Sequence, residues 1–345
     1  MKEILVIRLS AIGDILLTTP VLRRLKTLYS DARITFLVKE QYTDFIAACP
    51  DAENIIVWKK DASILQMKRI LSENVQAFDL VLDLQSNLKS RLLTLLIRAT
   101  DKRRYRKPYL NRLLLVYLKK NRYDQKKKIS ERYLEALAGL NDEPLSETVN
   151  LSRKVLPKSI QRFCADKPVV IAPGARWSTK RWPAEYFASL ASKILEKHPV
   201  QKIVWLGGKD EADVFEFLKE HPYLKRHTKR MLFLMSELGV EQMAALADSA
   251  RVMVTNDSGL MHLLSTAKTP LFALFLSTVE EFGFYPLGKA AQVLTARDIP
   301  CRPCNHKGLP ACPKKHFRCA RELTADQVYL ALSGYLKERT AEAKD

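Results

Sequence analysis

The chain has 345 residues, too many for one ordinary hydrophobic core, and this length predicts two domains of roughly 150 residues each. A hydrophobic content of 47% is that of a globular protein, and no apolar run approaches the roughly 20 residues of a membrane span. The first apolar run ends at Arg8, too early for a secretory signal, so we expect a cytoplasmic protein. The formal net charge of +19 calls for a partner with negative charge.

The first twenty residues predict a strand, a turn and a helix. Residues 4–7 form a short apolar run typical of a buried strand, and apolar residues recur at helical spacing from Ile15 onwards. Between them, Gly13 allows a tight turn, and Asp14 falls in the first turn of the helix. Asp14 therefore lies at the edge of the sheet formed by the carboxyl ends of the strands, where ligands of open α/β sheets bind. The alternative is that this acidic residue has no role beyond stabilising the helix N-terminus.

Further strands and helices alternate along the first half of the chain. Strands are predicted at residues 34–38, 55–57 and 80–84, and helices at residues 41–48 and 63–71. This alternation is typical of a parallel sheet with crossover helices. No G-x-G-x-x-G follows a predicted strand and no P-loop motif occurs, which disfavours dinucleotide binding through that fingerprint and P-loop NTP hydrolysis.

Most of the positive charge is concentrated in one basic stretch, residues 89–132. This stretch contains sixteen Lys and Arg and three acidic residues, which gives it a net charge of +13. Apolar and aromatic residues alternate with the cations, as in segments that lie against an anionic bilayer, and no known nucleic-acid-binding module surrounds them. We therefore favour an anionic membrane surface as a partner and expect no nucleic acid, although a helix packed on a sheet with snorkelling cations has the same pattern.

A polar, proline-containing stretch at residues 141–167 predicts a linker. The expected parts are an N-terminal domain at 1–165, a C-terminal domain at 166–320, and a helical segment at 321–345 that packs back across both domains. After the linker, strands are predicted at residues 169–172, 202–206, 252–255 and 271–275, and helices at residues 182–195, 211–219, 242–247 and 260–267. The predicted architecture is two doubly wound α/β domains that face each other.

Two loops of the second half have the composition of phosphate or ribose sites. Residues 173–183 combine small residues, hydroxyls and Lys180 before a helix, which suits a phosphate but also an ordinary surface loop. Residues 207–211 offer carboxylates that can bind ribose hydroxyls or simply favour a helix N-terminus.

A third loop, residues 256–262, follows another predicted strand. Asp257 or Ser258 can cap the next helix, and Gly259 permits a ligand to come close. His262 lies in the first turn, near enough to contact an anion bound there. The helix N-terminus favours a diphosphate.

Taken together, four segments resemble glycosyltransferase family 9, the bacterial ADP-heptose:lipopolysaccharide heptosyltransferases. The matching segments are Arg8-x-Ser10-x-x-Gly13-Asp14 with Pro20, Pro173-Gly174 to Lys180-x-Trp182-Pro183, Gly207-Gly208 to Glu211, and Asn256-Asp257-Ser258-Gly259-x-x-His262. They occur in the right order over nearly the whole chain. The resemblance implies a GT-B fold, with two Rossmann-like doubly wound domains facing a central cleft, the acceptor on the N-terminal domain and the nucleotide sugar on the C-terminal domain.

The resemblance also implies roles for individual residues. Asp14 matches the family's general base, and Lys180 matches the lysine that neutralises the departing diphosphate, in an inverting transfer that requires no metal. The implied donor site consists of Ser178, Thr179, Lys180, Glu211, Asp257, Ser258, Gly259 and His262. On the acceptor side we expect Ser10, Gly13, Arg103 and Arg104.

The substrates implied by the resemblance are ADP-heptose as donor and the lipid A core as acceptor. We therefore expect a monomeric enzyme that works peripherally at the inner face of the cytoplasmic membrane. The residues leave two alternatives open: the same fold with another nucleotide sugar or acceptor, and a basic protein that binds a membrane or nucleic acid without catalysis.

Four cysteines lie close together near the end of the chain, with His306 and His316 between them. They are Cys301, Cys304, Cys312 and Cys319. Their residue types suit a tetrahedral structural zinc, although the second pair lacks the spacing of a zinc ribbon. Packed or solvent-facing thiols are the alternative, since a reducing cytoplasm disfavours disulfides. A similar Cys-rich tail occurs in the heptosyltransferase II branch of the family, which the chain resembles in this respect.

Overall fold

The computed structural model describes most of the chain. The described residues are 1–123, 127–140 and 149–336. Part of the linker predicted at 141–167 and the end of the segment predicted at 321–345 lie outside them, as do residues 124–126 of the basic stretch.

The chain forms two compact units. The first comprises Met1–Ser152 and Glu281–Leu287, and the second comprises Arg153–Glu280 and Gly288–Asp345. The first unit therefore includes a short return segment, Glu281–Leu287, from far along the chain. A backbone hydrogen bond from the Ile129 N–H to the Gly283 carbonyl at 2.9 Å helps to hold this segment in place.

The first unit is built on a parallel sheet of five strands in the order β3-β2-β1-β4-β5. The strands are β1 (Glu3–Ile7), β2 (Arg33–Lys39), β3 (Asn54–Trp58), β4 (Phe78–Asp83) and β5 (Ala99–Arg104). The central strand β1 pairs with β2 on one side and with β4 on the other. The chain adds strands on one side of β1 as far as β3 and then on the other side from β4 to β5, so the strand order reverses between β1 and β4. Ligands of such sheets bind where these two strands end.

The helices of the first unit cover both faces of its sheet. They are α1 (Ile12–Leu16), α2 (Thr19–Leu28), α3 (Thr43–Ala47), α4 (Ile64–Asn74), α5 (Leu88–Leu96), α6 (Tyr109–Leu118) and α7 (Ile129–Leu134). Because β1 has neighbours on both faces, four of its five residues are fully buried and its sequence is a continuous apolar run. One core cluster joins Leu5 and Ile7 of β1 to Trp58, Met67 and Leu93.

The single helix predicted after Asp14 is two helices in the structure, α1 and α2. Pro20 causes the break, because it has no N–H to donate to the carbonyl of Leu16. Hydroxyl groups take over this role: Thr19 Oγ1 donates to the Leu16 carbonyl at 2.8 Å, and Thr18 Oγ1 donates to the Ile15 carbonyl at 2.6 Å.

The second unit is built on a parallel sheet of six strands in the order β11-β10-β9-β6-β7-β8. The strands are β6 (Val169–Ala172), β7 (Ile203–Gly207), β8 (Met231–Met235), β9 (Val252–Asn256), β10 (Leu271–Leu274) and β11 (Ala291–Leu294). Here β6 pairs with β7 and with β9, so the winding reverses between β6 and β9. The loops at 173–183 and 256–262 follow these two strands.

Helices also flank the second sheet. They are α8 (Lys158–Cys164), α9 (Ala184–Lys197), α10 (Ala212–Glu220), α11 (Pro222–Lys225), α12 (Val240–Ser249), α13 (Gly259–Leu264), α14 (Arg318–Arg321) and α15 (Ala325–Leu336). The last described helix, α15, packs against α9 and places Val328 and Leu332 in the core of the second unit.

Both units are doubly wound parallel sheets of the Rossmann type, as the alternation of strands and helices predicts. The strand predicted at residues 169–172 has the observed bounds, and most of the others differ by one or two residues. Among the described residues, no helix has the length and apolar character needed to cross a membrane.

Candidate active site

In the first unit, Asp14 lies in the first turn of α1, just beyond the carboxyl end of β1. Its side chain is 23% exposed, and two donors hold one oxygen, Oδ1. Arg8 Nη2 lies 2.5 Å from Oδ1, and the Tyr133 hydroxyl donates to it at 2.7 Å. Among the described residues, the second oxygen, Oδ2, accepts only a long hydrogen bond of 3.4 Å from the Ala11 N–H. Asp14 is therefore a carboxylate of fixed orientation that still reaches solvent.

Arg8 is buried and tied to the backbone around it. Its Nη1 donates to the Leu84 carbonyl at 2.6 Å, and its Nε donates to the Ser10 carbonyl at 2.9 Å. Gln85, which follows β4, accepts hydrogen bonds from the N–H groups of Leu9 and Ser10. The turn that carries Ser10 and leads to Gly13 is thus anchored to the ends of both β1 and β4.

Two aromatic residues complete the surroundings of Asp14. Tyr133, on α7, is 1% exposed, and its ring meets the Tyr105 ring edge to face at 4.9 Å. Burial raises the pKa of Tyr133 well above its ordinary value, so its hydroxyl stays protonated and acts as a donor. Lys107 lies nearby, and burial together with Arg8 and Arg112 lowers its pKa to about 8.

The predicted acceptor residues Arg103 and Arg104 end β5 and line a cavity of about 830 Å³. Arg103 Nε donates to Asp101 at 2.6 Å and its Nη1 donates to the Ala138 carbonyl at 2.8 Å, whereas Arg104 is exposed. Other lining residues are Arg91, Leu95, Lys102, Arg106 and Glu135. The cavity is predominantly cationic and suits an anionic ligand.

In the second unit, Lys180 and Asp257 form an ion pair at the carboxyl ends of β6 and β9. Lys180 Nζ lies 2.7 Å from Asp257 Oδ2, and the two side chains are 15% and 6% exposed. The Thr278 hydroxyl donates to the same oxygen at 2.5 Å. The structure thus brings together two residues of the predicted donor site and adds Thr278, which no motif indicated.

Of the neighbouring residues in the predicted donor site, Thr179 has a structural partner. The Thr179 hydroxyl donates to the Leu309 carbonyl at 3.1 Å and accepts from the Leu309 N–H at 2.8 Å, so it holds a loop in place. Ser178, beside it, is exposed. Gly308 packs on Lys180, because a Cβ at Gly308 would lie 3.0 Å from Lys180 Cγ and Cδ.

The 256–262 loop opens α13 as predicted. Ser258 is the N-cap, and its hydroxyl accepts from the Met261 N–H at 3.4 Å. Gly259 is the first helical residue, and His262 is 3% exposed. Asn256 is part of the motif, but the sequence assigned it no role. In the structure it joins this loop to the 173–183 loop: it donates to the Pro173 carbonyl at 2.6 Å and accepts from the Trp182 N–H at 3.2 Å.

Glu211 lies on the far side of the 173–183 loop, after β7. Its Oε2 accepts from the Gly208 N–H at 2.8 Å, and burial raises its pKa. A Cβ at Gly174 would lie 2.5 Å from Glu211 Cδ, so only glycine lets this carboxylate reach the loop.

The four cysteines considered as zinc ligands or as packed thiols are not arranged as a metal site. Among the described residues, no group of three or more His, Cys, Asp or Glu side chains could hold a metal ion. Cys319 is buried in α14, within the core of the second unit, and Cys301 contacts His316 at 3.9 Å. Cys304 Sγ donates to the Cys301 carbonyl, and none of the six cysteines, Cys312 included, is in a disulfide. Cys319 is a buried thiol whose pKa is raised to about 12, first by burial and then by the nearby thiols of Cys304, Cys301 and Cys312.

Comparison with known proteins agrees with this fold and these motifs. The family model described as glycosyltransferase family 9 (heptosyltransferase) matches residues 64–315. Lipooligosaccharide heptosyltransferase 2 of Campylobacter jejuni is 23% identical, over 94% of this chain and 96% of that protein. Lipopolysaccharide heptosyltransferase 1 of Pseudomonas aeruginosa is 26% identical, over 94% of this chain and 92% of that protein. These relatives carry the names of both branches, so their identities do not choose between them.

The solved structure of the ADP-heptose lipopolysaccharide heptosyltransferase II of Escherichia coli has the same fold. It superposes with a TM-score of 0.72 at 20% identity and covers 97% of this chain and 98% of that one. The two Rossmann-like units are thus those of a GT-B glycosyltransferase. Because the family model covers well over half of its residues, the chain belongs to glycosyltransferase family 9.

Proposed function

We propose that this protein is an inverting heptosyltransferase, which transfers heptose from ADP-heptose to the inner core of lipopolysaccharide. The observation that carries the proposal is Asp14, a partly exposed carboxylate held by Arg8 and Tyr133 at the end of the central strand. The names of the relatives support ADP-heptose as donor and a lipopolysaccharide core as acceptor.

Asp14 acts as the general base in this scheme. Arg8 and Tyr133 occupy Oδ1, which leaves Oδ2 to accept the proton of the acceptor hydroxyl. As that proton moves to Asp14, the acceptor oxygen bonds to the anomeric carbon of heptose and the bond from that carbon to the ADP oxygen breaks. Attack from the side opposite to ADP inverts the anomeric centre. A carboxylate of fixed orientation lowers the barrier because it need not reorganise during proton transfer.

Lys180 neutralises the charge that develops on ADP. Lys180 is paired with Asp257, so the diphosphate of a bound ADP-heptose must compete with this carboxylate for the ammonium group. Thr278 continues to donate to Asp257 when Lys180 turns to the phosphate, which keeps the buried carboxylate hydrogen-bonded. Once it has turned to the diphosphate, the Lys180 ammonium stabilises the negative charge that develops there in the transition state.

The acceptor places the reaction at a membrane. A lipid A core is anchored in the inner leaflet of the cytoplasmic membrane while it is assembled, and the basic stretch 89–132 supports peripheral work at that surface. We also propose that the protein acts as a monomer and without a catalytic metal.

The test is release of ADP from ADP-heptose with lipid A cores truncated before and after the first heptose. Asp14→Asn should lower turnover at least about a hundredfold, because it removes the base without changing the shape of the side chain. Asp79→Asn is the control: this aspartate is exposed at the opposite end of β4, and full activity is expected. Failure of the wild type to use either acceptor would overturn the proposal, and the acceptor that supports turnover identifies the step.

A further inference from the structure

Two helices of the first unit expose apolar side chains where a helix on a water-facing surface usually carries polar ones. Of the seventeen large hydrophobic side chains that are exposed among the described residues, nine belong to α5 and α6. In α5 these are Leu88, Leu92, Leu95 and Leu96, and in α6 they are Tyr109, Leu110, Leu113, Tyr117 and Leu118. We call these nine residues the docking surface.

The spacing of these residues gives each helix two apolar faces. In α5 the exposed leucines recur at intervals of four, three and one residues, while Leu93 on the opposite side is fully buried in the core. In α6, Leu115 and Val116 are buried and the exposed residues lie on the other side. The buried faces account for folding, and the exposed faces require another explanation.

The two helices begin at the same edge of the sheet. Strands β4 and β5 are parallel neighbours, and their last residues, Asp83 and Arg104, are partners in register. Helix α5 begins at Leu88 and α6 at Tyr109, each a few residues beyond the end of its strand. Their exposed N-terminal residues therefore lie on one side of the unit.

Positive charge is concentrated in the same segment of the chain as the docking surface. Residues 89–122 contain twelve Lys and Arg but only one acidic residue, Asp101, which is paired with Arg103. The exposed cations are Arg91, Arg98, Lys102, Arg104, Arg106, Lys119, Lys120 and Arg122. The cationic cavity of about 830 Å³ also borders Leu95, so apolar and cationic features adjoin there.

We propose that the docking surface inserts into the interface of an anionic lipid bilayer. The leucine and tyrosine side chains enter the boundary between headgroups and acyl chains, and the exposed cations of the same segment contact lipid phosphates. A second copy of the chain fits less well, because a symmetric contact would set these cations against each other. The proposal rests on the proposed function only for its purpose, which is to bring the site to a lipid-anchored acceptor.

The test is binding of the full chain to vesicles, without any substrate. Vesicles of phosphatidylcholine with about 30% phosphatidylglycerol should bind the wild type at least about tenfold more tightly than phosphatidylcholine alone, and salt should weaken the binding. The variants Leu88→Ser/Leu92→Ser and Leu113→Ser/Tyr117→Ser should each bind at least about tenfold more weakly.

The matched control is Val200→Ser/Leu330→Ser, which removes two apolar side chains of the second unit that are 69% and 75% exposed. We expect it to bind like the wild type. Equal binding of all variants, equal binding to neutral vesicles, or no binding at low salt would overturn the proposal. So would a wild-type dimer that the serine variants convert to monomers, because a second copy would then cover the docking surface.

Activity separates this proposal from the proposed function. With a water-soluble, deacylated acceptor, the docking variants should release ADP as fast as the wild type, whereas with an acceptor embedded in vesicles they should be at least about tenfold slower. Vesicle binding by a protein without transferase activity would overturn the proposed function and leave the docking surface standing.

Discussion

The orientation of Asp14 depends on two side chains from different parts of the first unit. Arg8 is its near neighbour in sequence, but Tyr133 is 119 residues away on α7. Burial keeps the Tyr133 hydroxyl protonated, so it can only donate to the carboxylate. The proposed base is therefore oriented by a distant part of the fold as well as by its own segment of the chain.

Tyr133→Phe tests this positioning. The substitution removes the donor to Asp14 Oδ1 and keeps the ring that packs on Tyr105. We expect kcat to fall about tenfold with little change in KM, because a lost hydrogen bond of this kind is worth about 1–3 kcal/mol. Steady-state kinetics measure the split, and a rise in KM with unchanged kcat would contradict it.

Lys107 should make the stability of the protein depend on pH. Its pKa is lowered to about 8, so between that pH and the ordinary lysine pKa of about 10.4 the unfolded chain holds a proton that the native protein has lost. Stability of the wild type therefore rises with pH across this range. Lys107→Met should be more stable than the wild type at pH 7, by on the order of 1 kcal/mol after solvent screening, and this advantage should shrink above pH 8 and vanish above about pH 10.4. Urea unfolding at several pH values measures it, and a constant difference would contradict it.

Sequence patterns find motif residues but not their distant partners. Asp14, Lys180 and Asp257 follow strands whose apolar runs are plain, so their positions at sheet edges could be predicted. Tyr133 and Thr278 touch these carboxylates through tertiary folding, and no local spacing marks them.

At the scale of elements, the sequence predicted only one of the four edge strands, β3. Strand β8 was missed although it reads MLFLM and is apolar throughout, whereas β5 and β11 were missed because they lack a buried apolar run. Strand β5 reads ATDKRR, and its residues alternate between partly buried and exposed at the edge of the first sheet. Strand β11, at the edge of the second sheet, has four residues, of which three are partly buried and one is exposed. Central strands such as β1 and β6, buried on both faces, were predicted correctly.

The return segment Glu281–Leu287 needs glycine at position 283. Gly283 has a φ of +84°, and a Cβ there would lie 2.9 Å from the Ile129 nitrogen and 3.0 Å from the Lys127 carbonyl oxygen. Gly283→Ala should therefore cost about 2–4 kcal/mol of the free energy of unfolding, from backbone strain and overpacking.

The matched control is Gly334→Ala in α15, where nothing lies within 4 Å of the added Cβ. There we expect a gain of about 0.5–1 kcal/mol, because alanine favours a helix over glycine. Urea unfolding measures both variants, and equal effects would show that the return segment can adjust to the added methyl group.

At the scale of the whole molecule, each unit has its own core, and the proposed donor site lies in the second. ADP at about 100 times its Kd should stabilise the protein by about 2.7 kcal/mol. Hydrogen exchange should show the protection at residues 173–183 and 256–262 and not at residues 8–14. Lys180→Gln should reduce the effect, and protection confined to the first unit would contradict it.

The return segment also bears on how the protein is made. Arg132 donates to the carbonyls of Phe282 and Glu281, so the first unit lacks these partners until the ribosome has synthesised much of the second unit. At roughly 5–20 residues per second, the delay between Ser152 and Leu287 is on the order of ten seconds. During that interval the N-terminal half of the nascent protein lacks the return segment, and its native structure is complete only when that segment has been synthesised.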